Sequence, residues 1–278
     1  MEKYIINGGN KLYGSVKIQT AKNSVLPILA ATVLTDGKVT IRNIPQISDV
    51  KNMVKILTCL GCKAVYEENN LIIDSSAADC FEIPSALAHE LRSSVFLLGS
   101  VISRFHSAKI AYPGGCDIGL RPVDLHLAGL KRLGVEITEK NGYILCKCDK
   151  LHGNEIMLDC PSVGATENIM LAAVKAEGIT IIGNAAREPE IEDLQNFLNK
   201  IGAKISGAGS GTIKIEGVKK LCGCDYLPIP DRIEAGTFLI AGAMCEGEIT
   251  LEGTKPENII SLIHKLKENG CKIHINYD

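Results

Sequence analysis

The chain repeats one short pattern along its length. In each copy, apolar residues at helical spacing lead to a glycine, and an alternating, strand-like segment follows. A glycine directly after a periodic apolar segment is the usual signal for a helix end, because it adopts the left-handed conformation that closes the last turn. The four glycines are 73, 68 and 68 residues apart, and the copies are LTCLGCKAV (57–65), LKRLGVEIT (130–138), LNKIGAKIS (198–206) and LKENGCKIH (266–274).

A second pattern recurs upstream of each glycine. There an apolar, helix-like run ends in a turn and leads into a β-branched strand. The copies are LTDGKVTI (34–41), RFHSAKIAY (104–112), KAEGITII (175–182) and MCEGEITL (244–251). One repeat therefore predicts helix, turn, strand, loop, helix, glycine, strand, hairpin and strand. Four such copies predict an α/β protein of equivalent units, with a period too long for an ordinary solenoid.

The same alignment predicts equivalent helix starts, which carry Lys22, Arg92, Ser162 and Arg232. Helix N-termini present unpaired N–H groups and a partial positive charge, so they suit phosphates and carboxylates. A cation at such a position does not complement its own helix dipole. For a single residue, a solvated side chain is the ordinary explanation. The recurrence at three of four starts instead favours a site for anions.

One thiol lies in a polar, glycine-rich segment, PGGCDIGLRPVDLH (113–126). Cys116 is flanked by glycines that allow the backbone to bend closely around a ligand, and Arg121 follows five residues later. A free cysteine usually behaves as a small buried hydrophobe, which is the alternative reading of this residue. Its polar neighbours instead favour a chemical role for Cys116.

Composition excludes several classes of function. The formal charge is −2, tryptophan is absent and aromatic residues make up 4 %, which argues against a nucleic-acid-binding module. The eleven cysteines show no zinc-ligand framework, and reduced thiols are expected. GAGSGT (207–212) is interpreted as a hairpin turn, because no helix follows it. With no signal-peptide pattern and no long apolar run, a cytoplasmic protein with no membrane contact is expected.

Five segments resemble a known family along the whole chain. They are AKN (21–23), PGGCDIGLRPVDLH (113–126), SVGATENIM (162–170), NAAREPEI (184–191) and PDRIEAGTF (230–238). Together they resemble the UDP-N-acetylglucosamine 1-carboxyvinyltransferases, the enolpyruvyl transferases that open peptidoglycan synthesis. The related 5-enolpyruvylshikimate-3-phosphate synthases share the repeat fold but lack the cysteine segment.

The resemblance implies an inside-out α/β barrel, with helices inside and sheets outside, built from repeated units. Four of the family's six repeats are expected here, with 22–229 as a complete three-repeat domain and 1–21 plus 230–278 as part of a second. The family's aspartate general base would then lie in a missing C-terminal segment.

The resemblance also implies a reaction. The enolpyruvyl group of phosphoenolpyruvate would pass to the 3′-hydroxyl of UDP-N-acetylglucosamine, with release of phosphate and without a cofactor or metal. Cys116 would protonate C3 of phosphoenolpyruvate and could add to C2, as a thiol with a pKa of ~8.5 that nearby cations lower. Lys22, Arg92 and Arg121 would hold the phosphate and the carboxylate, and Asn23 would hydrogen-bond the reacting hydroxyl or the intermediate.

The remaining implied site residues would bind the sugar nucleotide or supply carboxylates. The residues that would line the UDP-sugar site are Arg121, Pro122, Val123, Asp124, Leu125, Ser162, Val163 and Gly164. Asp231 and Glu234 are carried over as active-site carboxylates from the matching PDRIEAGT segment.

Three alternatives stay open at this point. The chain could be an inactive fragment that retains partial ligand binding, which an assay of phosphate release would reveal. It could prefer shikimate-3-phosphate, although the cysteine segment argues against that. It could also be a thiol redox sensor, which rapid reversible oxidation of Cys116 without substrate would indicate.

Overall fold

The structure is a computed structural model and describes residues 3–5, 7–112 and 123–276. The chain divides into two compact units. Unit 1 comprises 1–21 with 229–278, and unit 2 comprises 22–228.

Helices and strands alternate along the chain, as the repeated pattern predicts. The helices are α1 (Lys22–Ala31), α2 (Ser48–Cys59), α3 (Ser85–Glu90), α4 (Leu97–Phe105), α5 (Asp124–Arg132), α6 (Val163–Ala173), α7 (Pro189–Lys200), α8 (Arg232–Met244) and α9 (Ile260–Glu268), with short 3₁₀ helices at Thr32–Leu34, Arg92–Phe96 and Pro256–Ile259. The strands are β1 (Tyr13–Lys17), β2 (Lys38–Ile41), β3 (Lys63–Glu67), β4 (Asn70–Asp74), β5 (Ser107–Ala111), β6 (Glu136–Lys140), β7 (Tyr143–Lys147), β8 (Glu155–Met157), β9 (Ile179–Gly183), β10 (Lys204–Ser206), β11 (Thr212–Glu216), β12 (Asp225–Tyr226) and β13 (Glu248–Glu252).

The interior of unit 2 is helical. Helices α1, α4 and α6 are apolar on nearly every side, and residues 24–31, 97–103 and 165–173 are buried. A helix that is apolar all round must lie in a core, because no face of it suits water. Helix α4 packs against both α1 and α6. The three helices belong to one continuous hydrophobic cluster.

Sheets surround these helices. The described residues of unit 2 form three sheets, with strand orders β12-β2-β4-β3, β5-β7-β6 and β10-β11-β9-β8. Alternate residues of β4, β7 and β11 are buried, so each sheet has one face on the core. The predicted arrangement of inner helices and outer sheets is confirmed.

The repeat glycines end helices as predicted. Gly61, Gly134, Gly202 and Gly270 follow α2, α5, α7 and α9 with φ of +92°, +93°, +111° and +89°. This left-handed region costs a residue with a Cβ on the order of 1–2 kcal/mol, which explains the choice of glycine. GAGSGT links β10 to its antiparallel partner β11, so the hairpin prediction is also confirmed.

Two local predictions were wrong. Arg92 begins a 3₁₀ helix instead of an α-helix, and α4 starts only at Leu97. Leu91 is extended, and the hydroxyl of Ser94 donates to the Ala88 carbonyl at 3.4 Å, so local side-chain bonding competes with helix formation. Residues 271–276 form no strand, because no neighbouring segment within the described ranges pairs with them.

Unit 1 has a smaller core. Strands β1 and β13 pair in parallel, and the buried cluster consists of Ile18, Ala235, Ile259 and Ile263. Helix α8 resembles the inner helices of unit 2 in composition, yet Ile233, Ile240 and Met244 are exposed on it. Its apolar surface is therefore only partly covered within unit 1.

Candidate active site

The first turn of α1 presents Lys22 and Asn23, two of the predicted site residues. Both are exposed at the start of a helix that is otherwise buried. Lys22 Nζ lies 3.0 Å from a carboxylate oxygen of Asp49 on α2. Asp49 therefore holds the exposed ammonium group of Lys22, and sequence analysis did not identify this partner.

A buried hydroxyl lies directly behind this turn. Ser24, which is fully buried, donates a hydrogen bond to the carboxylate of Asp193 on α7. Tyr226 on β12 donates to the other carboxylate oxygen at 2.6 Å. The turn that carries Lys22 and Asn23 is thus joined to two other elements of unit 2.

A second group of predicted residues gathers around His126 on α5. Gly164, near the start of α6, lies so close that a Cβ there would be 3.0 Å from His126 Cε1 and 3.0 Å from Phe96 Cε1. Arg92 is near enough to lower the pKa of His126. Unit 2 therefore brings Arg92, Gly164 and the beginning of α5 together.

His126 is a neutral hydrogen-bond acceptor in this group. Asn168 Oδ1 accepts from the Gly99 N–H at 2.6 Å, so its amide nitrogen is the atom that faces His126 Nδ1 at 3.1 Å. That amide donates, hence Nδ1 accepts and the ring proton is on Nε2. Burial, followed by the charge of Arg92, lowers the pKa of His126 to about 4.

The other predicted residues of α5 and α6 lie at the two helix starts. Val123 is buried just before α5, Asp124 is its exposed first residue and Leu125 is half-buried. Ser162 caps α6, because its hydroxyl oxygen accepts from the Ala165 N–H at 3.3 Å, and Val163 opens the helix. The N-terminus of α6 is therefore a capped helix end beside the His126 group.

Cys116, Arg121 and Pro122 fall within 113–122, which lies outside the described residues. This segment runs from just after β5 to just before α5.

Asp231 and Glu234 belong to unit 1, where both have local partners. Asp231 caps α8, and its Oδ1 accepts from the Ile233 N–H at 2.8 Å and the Glu234 N–H at 3.0 Å. Glu234 Oε2 accepts from the Gln19 N–H at 2.9 Å. The structure therefore gives each carboxylate a role in fixing the start of α8.

A buried carboxyl on α6 is a further unusual group. Glu167 is fully buried, and neither of its oxygens has a hydrogen-bond partner among the described residues. Burial, with the nearby charges of Glu190 and Glu188, raises its pKa well above the ordinary value. These surroundings therefore favour the protonated form of Glu167.

Sequence analysis missed Asp49, His126, Asn168 and Asp193. One signal was available for Asn168, because Glu167 and Asn168 are adjacent, strongly polar residues within a mostly apolar helix. No comparable signal marks Asp49 or Asp193, which lie on helices with ordinary polar faces.

Two features are absent from the described ranges. No group of three histidine, cysteine, aspartate or glutamate side chains there could hold a metal ion. None of the helices described is both long and apolar enough to cross a membrane.

A family model extends the geometry to known proteins. Residues 6–278 match the model of EPSP synthase (3-phosphoshikimate 1-carboxyvinyltransferase). The chain is also 56 % identical over 278 residues to UDP-N-acetylglucosamine 1-carboxyvinyltransferase 2 of Caldanaerobacter subterraneus subsp. tengcongensis. It is 51 % identical over 280 aligned positions to the enzyme of that name from Clostridium tetani.

The chain belongs to the UDP-N-acetylglucosamine 1-carboxyvinyltransferase family. Both relatives are matched over 100 % of this chain and 67 % of their own length. The chain therefore spans about two thirds of the length of these family members.

Solved structures give the same fold. The enolpyruvyl transferase NikO from Streptomyces tendae superposes with a TM-score of 0.86 at 25 % identity, over 98 % of this chain and 66 % of that one. EPSP synthase from Acinetobacter baumannii superposes with a TM-score of 0.73 at 19 % identity, over 94 % of this chain and 60 % of that one. The predicted enolpyruvyl transferase fold is confirmed.

Proposed function

We propose that the chain transfers the enolpyruvyl group of phosphoenolpyruvate to the 3′-hydroxyl of UDP-N-acetylglucosamine, releasing phosphate. The observation that carries this proposal is the 56 % identity over all 278 residues to an enzyme named for that transfer. The reaction is the first committed step of peptidoglycan synthesis, and the proposed location is the cytoplasm. No nucleic acid or membrane partner is proposed.

Phosphoenolpyruvate carries a phosphate and a carboxylate, so its binding requires several cations. We assign these anions to Lys22, Arg92 and Arg121. The exposed ammonium of Lys22 is already held by Asp49 at 3.0 Å, which supports an anion exchange on binding. Arginine suits the carboxylate because its fork makes two parallel hydrogen bonds.

Cys116 is the proposed proton donor. Its thiol protonates C3 and turns the methylene into a methyl group, while the sugar hydroxyl oxygen bonds to C2 and gives up its own proton to a base. In the second step the thiolate removes a proton from that methyl group, the C2–O bond to phosphate breaks, and the double bond returns. The same thiol can instead add to C2. Asn23 hydrogen-bonds the reacting hydroxyl.

The UDP-sugar is assigned to the starts of α5 and α6. The proposed residues are Arg121, Pro122, Val123, Asp124, Leu125, Ser162, Val163 and Gly164. The N–H groups and the dipole of a helix start favour a diphosphate. Asp231 and Glu234 remain proposed active-site carboxylates.

The test is phosphate release from phosphoenolpyruvate in the presence of UDP-N-acetylglucosamine. We expect turnover, a loss of about 100-fold or more in Cys116→Ala, and no change in Cys222→Ala, which removes an exposed thiol. Shikimate-3-phosphate should not replace the sugar nucleotide. Equal rates with and without the Cys116 thiol would contradict the proposed role.

A second candidate is a protein that retains only partial ligand binding. The chain spans 67 % of the length of the relatives named above. Folded protein that releases no phosphate, yet is protected from proteolysis at 113–122 by UDP-N-acetylglucosamine, would favour this alternative.

A further inference from the structure

Three polar side chains from distant parts of unit 2 meet in its core. Ser24 is the third residue of α1, Asp193 lies on α7 and Tyr226 on β12. Their exposed fractions are 0 %, 3 % and 8 %. The serine hydroxyl donates to one oxygen of the Asp193 carboxylate, and the tyrosine hydroxyl donates to the other at 2.6 Å.

Tyr226 fixes this carboxylate from the sheet side. Its hydroxyl also donates to the backbone carbonyl of Asp193 at 3.0 Å, and the ring of Phe197 packs edge-on at 5.3 Å. Burial, followed by the charge of Asp193, raises the pKa of the Tyr226 hydroxyl, so it stays a donor. Pairing of β12 with β2 ties the tyrosine to the backbone of the sheet.

The first turn of α1 needs such a partner. No acidic side chain lies in that turn, although the N-terminal end of a helix carries a partial positive charge. Asp193 supplies negative charge from the buried side, while Lys22 and Asn23 occupy the exposed side of the same turn. The buried bond to Ser24 therefore lies directly after the two exposed residues.

We infer that Asp193 is a positioning residue, which acts through Ser24 to hold Lys22 and Asn23 in the geometry that binds phosphoenolpyruvate. The inference rests on the proposed function. Asp193 itself lies in the core and touches no substrate in this role.

The experiment compares two variants that each remove one hydroxyl from the same carboxylate. Ser24→Ala breaks the link to α1, whereas Tyr226→Phe breaks the link to β12. The first readout is the phosphoenolpyruvate concentration that half-protects Lys22 from an amine-acylating reagent, measured by peptide mass spectrometry. The second is hydrogen exchange of the peptide that covers 22–27.

We expect Ser24→Ala to raise the half-protecting concentration and the exchange rate about tenfold, as for loss of a hydrogen bond to a charged group. Tyr226→Phe should change the half-protecting concentration and the exchange rate less than twofold, even if the two variants lower the melting temperature by similar amounts. Asp193→Asn, if it folds, should resemble Ser24→Ala. Equal changes in the two hydroxyl variants, or no change in either, would overturn the inference.

A failure of the proposed function gives a different result. In that case phosphoenolpyruvate does not protect Lys22 in the unmodified chain at any concentration. Hydrogen exchange then decides the structural step alone: faster exchange at 22–27 only in Ser24→Ala supports the positioning link, and unchanged exchange refutes it.

Discussion

At the scale of single residues, His126 shows how a polar group is made compatible with a core. The amide oxygen of Asn168 accepts from the Gly99 N–H, and its amide nitrogen donates to His126. The hydrogen bond from Asn168 therefore determines the tautomer of the His126 ring. A proton on Nδ1 would break this bond and add a charge near Arg92.

The lowered pKa of His126 predicts a loss of stability in mild acid. Above pH 6.5 both folded and unfolded chains hold the ring neutral. As the pH falls from 6.5 to about 4, only the unfolded chain takes up the proton, so the free energy of unfolding falls, by up to about 3 kcal/mol. Urea unfolding of unit 2 at pH 7 and pH 4.5 should show this contribution as a difference between chains, because on going to pH 4.5 His126→Gln should change less unfavourably than the unmodified chain.

His89→Gln is the matched control, because His89 is exposed on α3. It should keep the full pH dependence. The same dependence in His126→Gln would contradict the assignment.

Glu167 predicts the opposite dependence. Its raised pKa means that the folded chain binds the proton more tightly than the unfolded chain. The resulting stability is fully present below the ordinary pKa near 4.5 and is lost as the pH rises towards the folded value. Glu167→Gln should therefore lose less stability than the unmodified chain between pH 5 and pH 8, as measured by urea unfolding.

Glu136→Gln, an exposed carboxylate on β6, serves as its control. It should follow the unmodified chain across this range. A Glu167→Gln variant that loses as much stability would show that the acid is already ionised in the fold.

Site residues were predictable only where a local sequence pattern identifies their position in the fold. Lys22 and Asn23 stand at a helix start that the repeat identifies. Asp193 lies 169 positions from Ser24, and its helix has an ordinary amphipathic pattern. The pairing depends on packing between repeats, which local patterns do not contain.

At the scale of elements, the repeat glycines differ in how tightly their surroundings enclose them. A Cβ on Gly61 would lie 3.1 Å from the Ala77 carbonyl oxygen and 3.1 Å from Ala78 Cα, both backbone atoms. On Gly202 the nearest atom would be the Lys220 carbonyl oxygen at 3.7 Å. The same helix ending is crowded after α2 and open after α7.

Alanine substitution of Gly61 and Gly202 should separate the cost of the left-handed backbone from the cost of steric crowding around the added Cβ. Gly202→Ala should cost about 1–2 kcal/mol from the left-handed backbone alone. Gly61→Ala should cost more, because two of the three atoms nearest to a Cβ there are backbone atoms, which cannot move aside as a side chain can. Equal losses in the free energy of unfolding for the two variants would show that the contacts around Gly61 relax.

Element types followed from the sequence because periodicity and glycine act locally. Two segments differ from their predicted element type, one for a local reason and one for lack of a partner strand. Arg92 lies in a 3₁₀ helix because Leu91 is extended and Ser94 bonds to the backbone, which apolar spacing does not reveal. Residues 271–276 alternate as a strand does, but an alternating pattern forms a ladder only when a partner strand lies beside it.

At the scale of the whole molecule, the two units differ in the size of their cores. Unit 2 has a continuous cluster that includes its inner helices, whereas four buried residues form the cluster of unit 1. Since local opening is easiest where few apolar contacts are buried, unit 1 should open more readily.

Hydrogen exchange followed by mass spectrometry should show this difference. We expect amides in α8 and α9 to exchange at least about tenfold faster than those in α4 and α6. The comparison uses helices alone, so that the greater exposure of strand edges and loops does not affect the exchange rates compared. Equal protection of both pairs would show that unit 1 is stabilised by contacts beyond its own core.

The inside-out organisation was predicted from resemblance rather than from periodicity. Repeats showed that equivalent helices and strands exist, but apolar helices such as α1 and α6 fit several α/β layouts. Which layer lies inside depends on how the repeats pack together.

The parallel pairing of β12 with β2 has a consequence for the order of folding. It joins the two ends of unit 2, and the neighbouring contact between Arg42 and Asp225 spans 183 positions. Hairpins such as β3–β4 close across a short turn and form within microseconds, whereas a loop of this length closes late. The Ser24–Asp193 bond itself spans 169 positions, so the start of α1 is among the last parts of unit 2 to become rigid. A newly made chain would therefore acquire its secondary structure well before its proposed substrate-binding geometry.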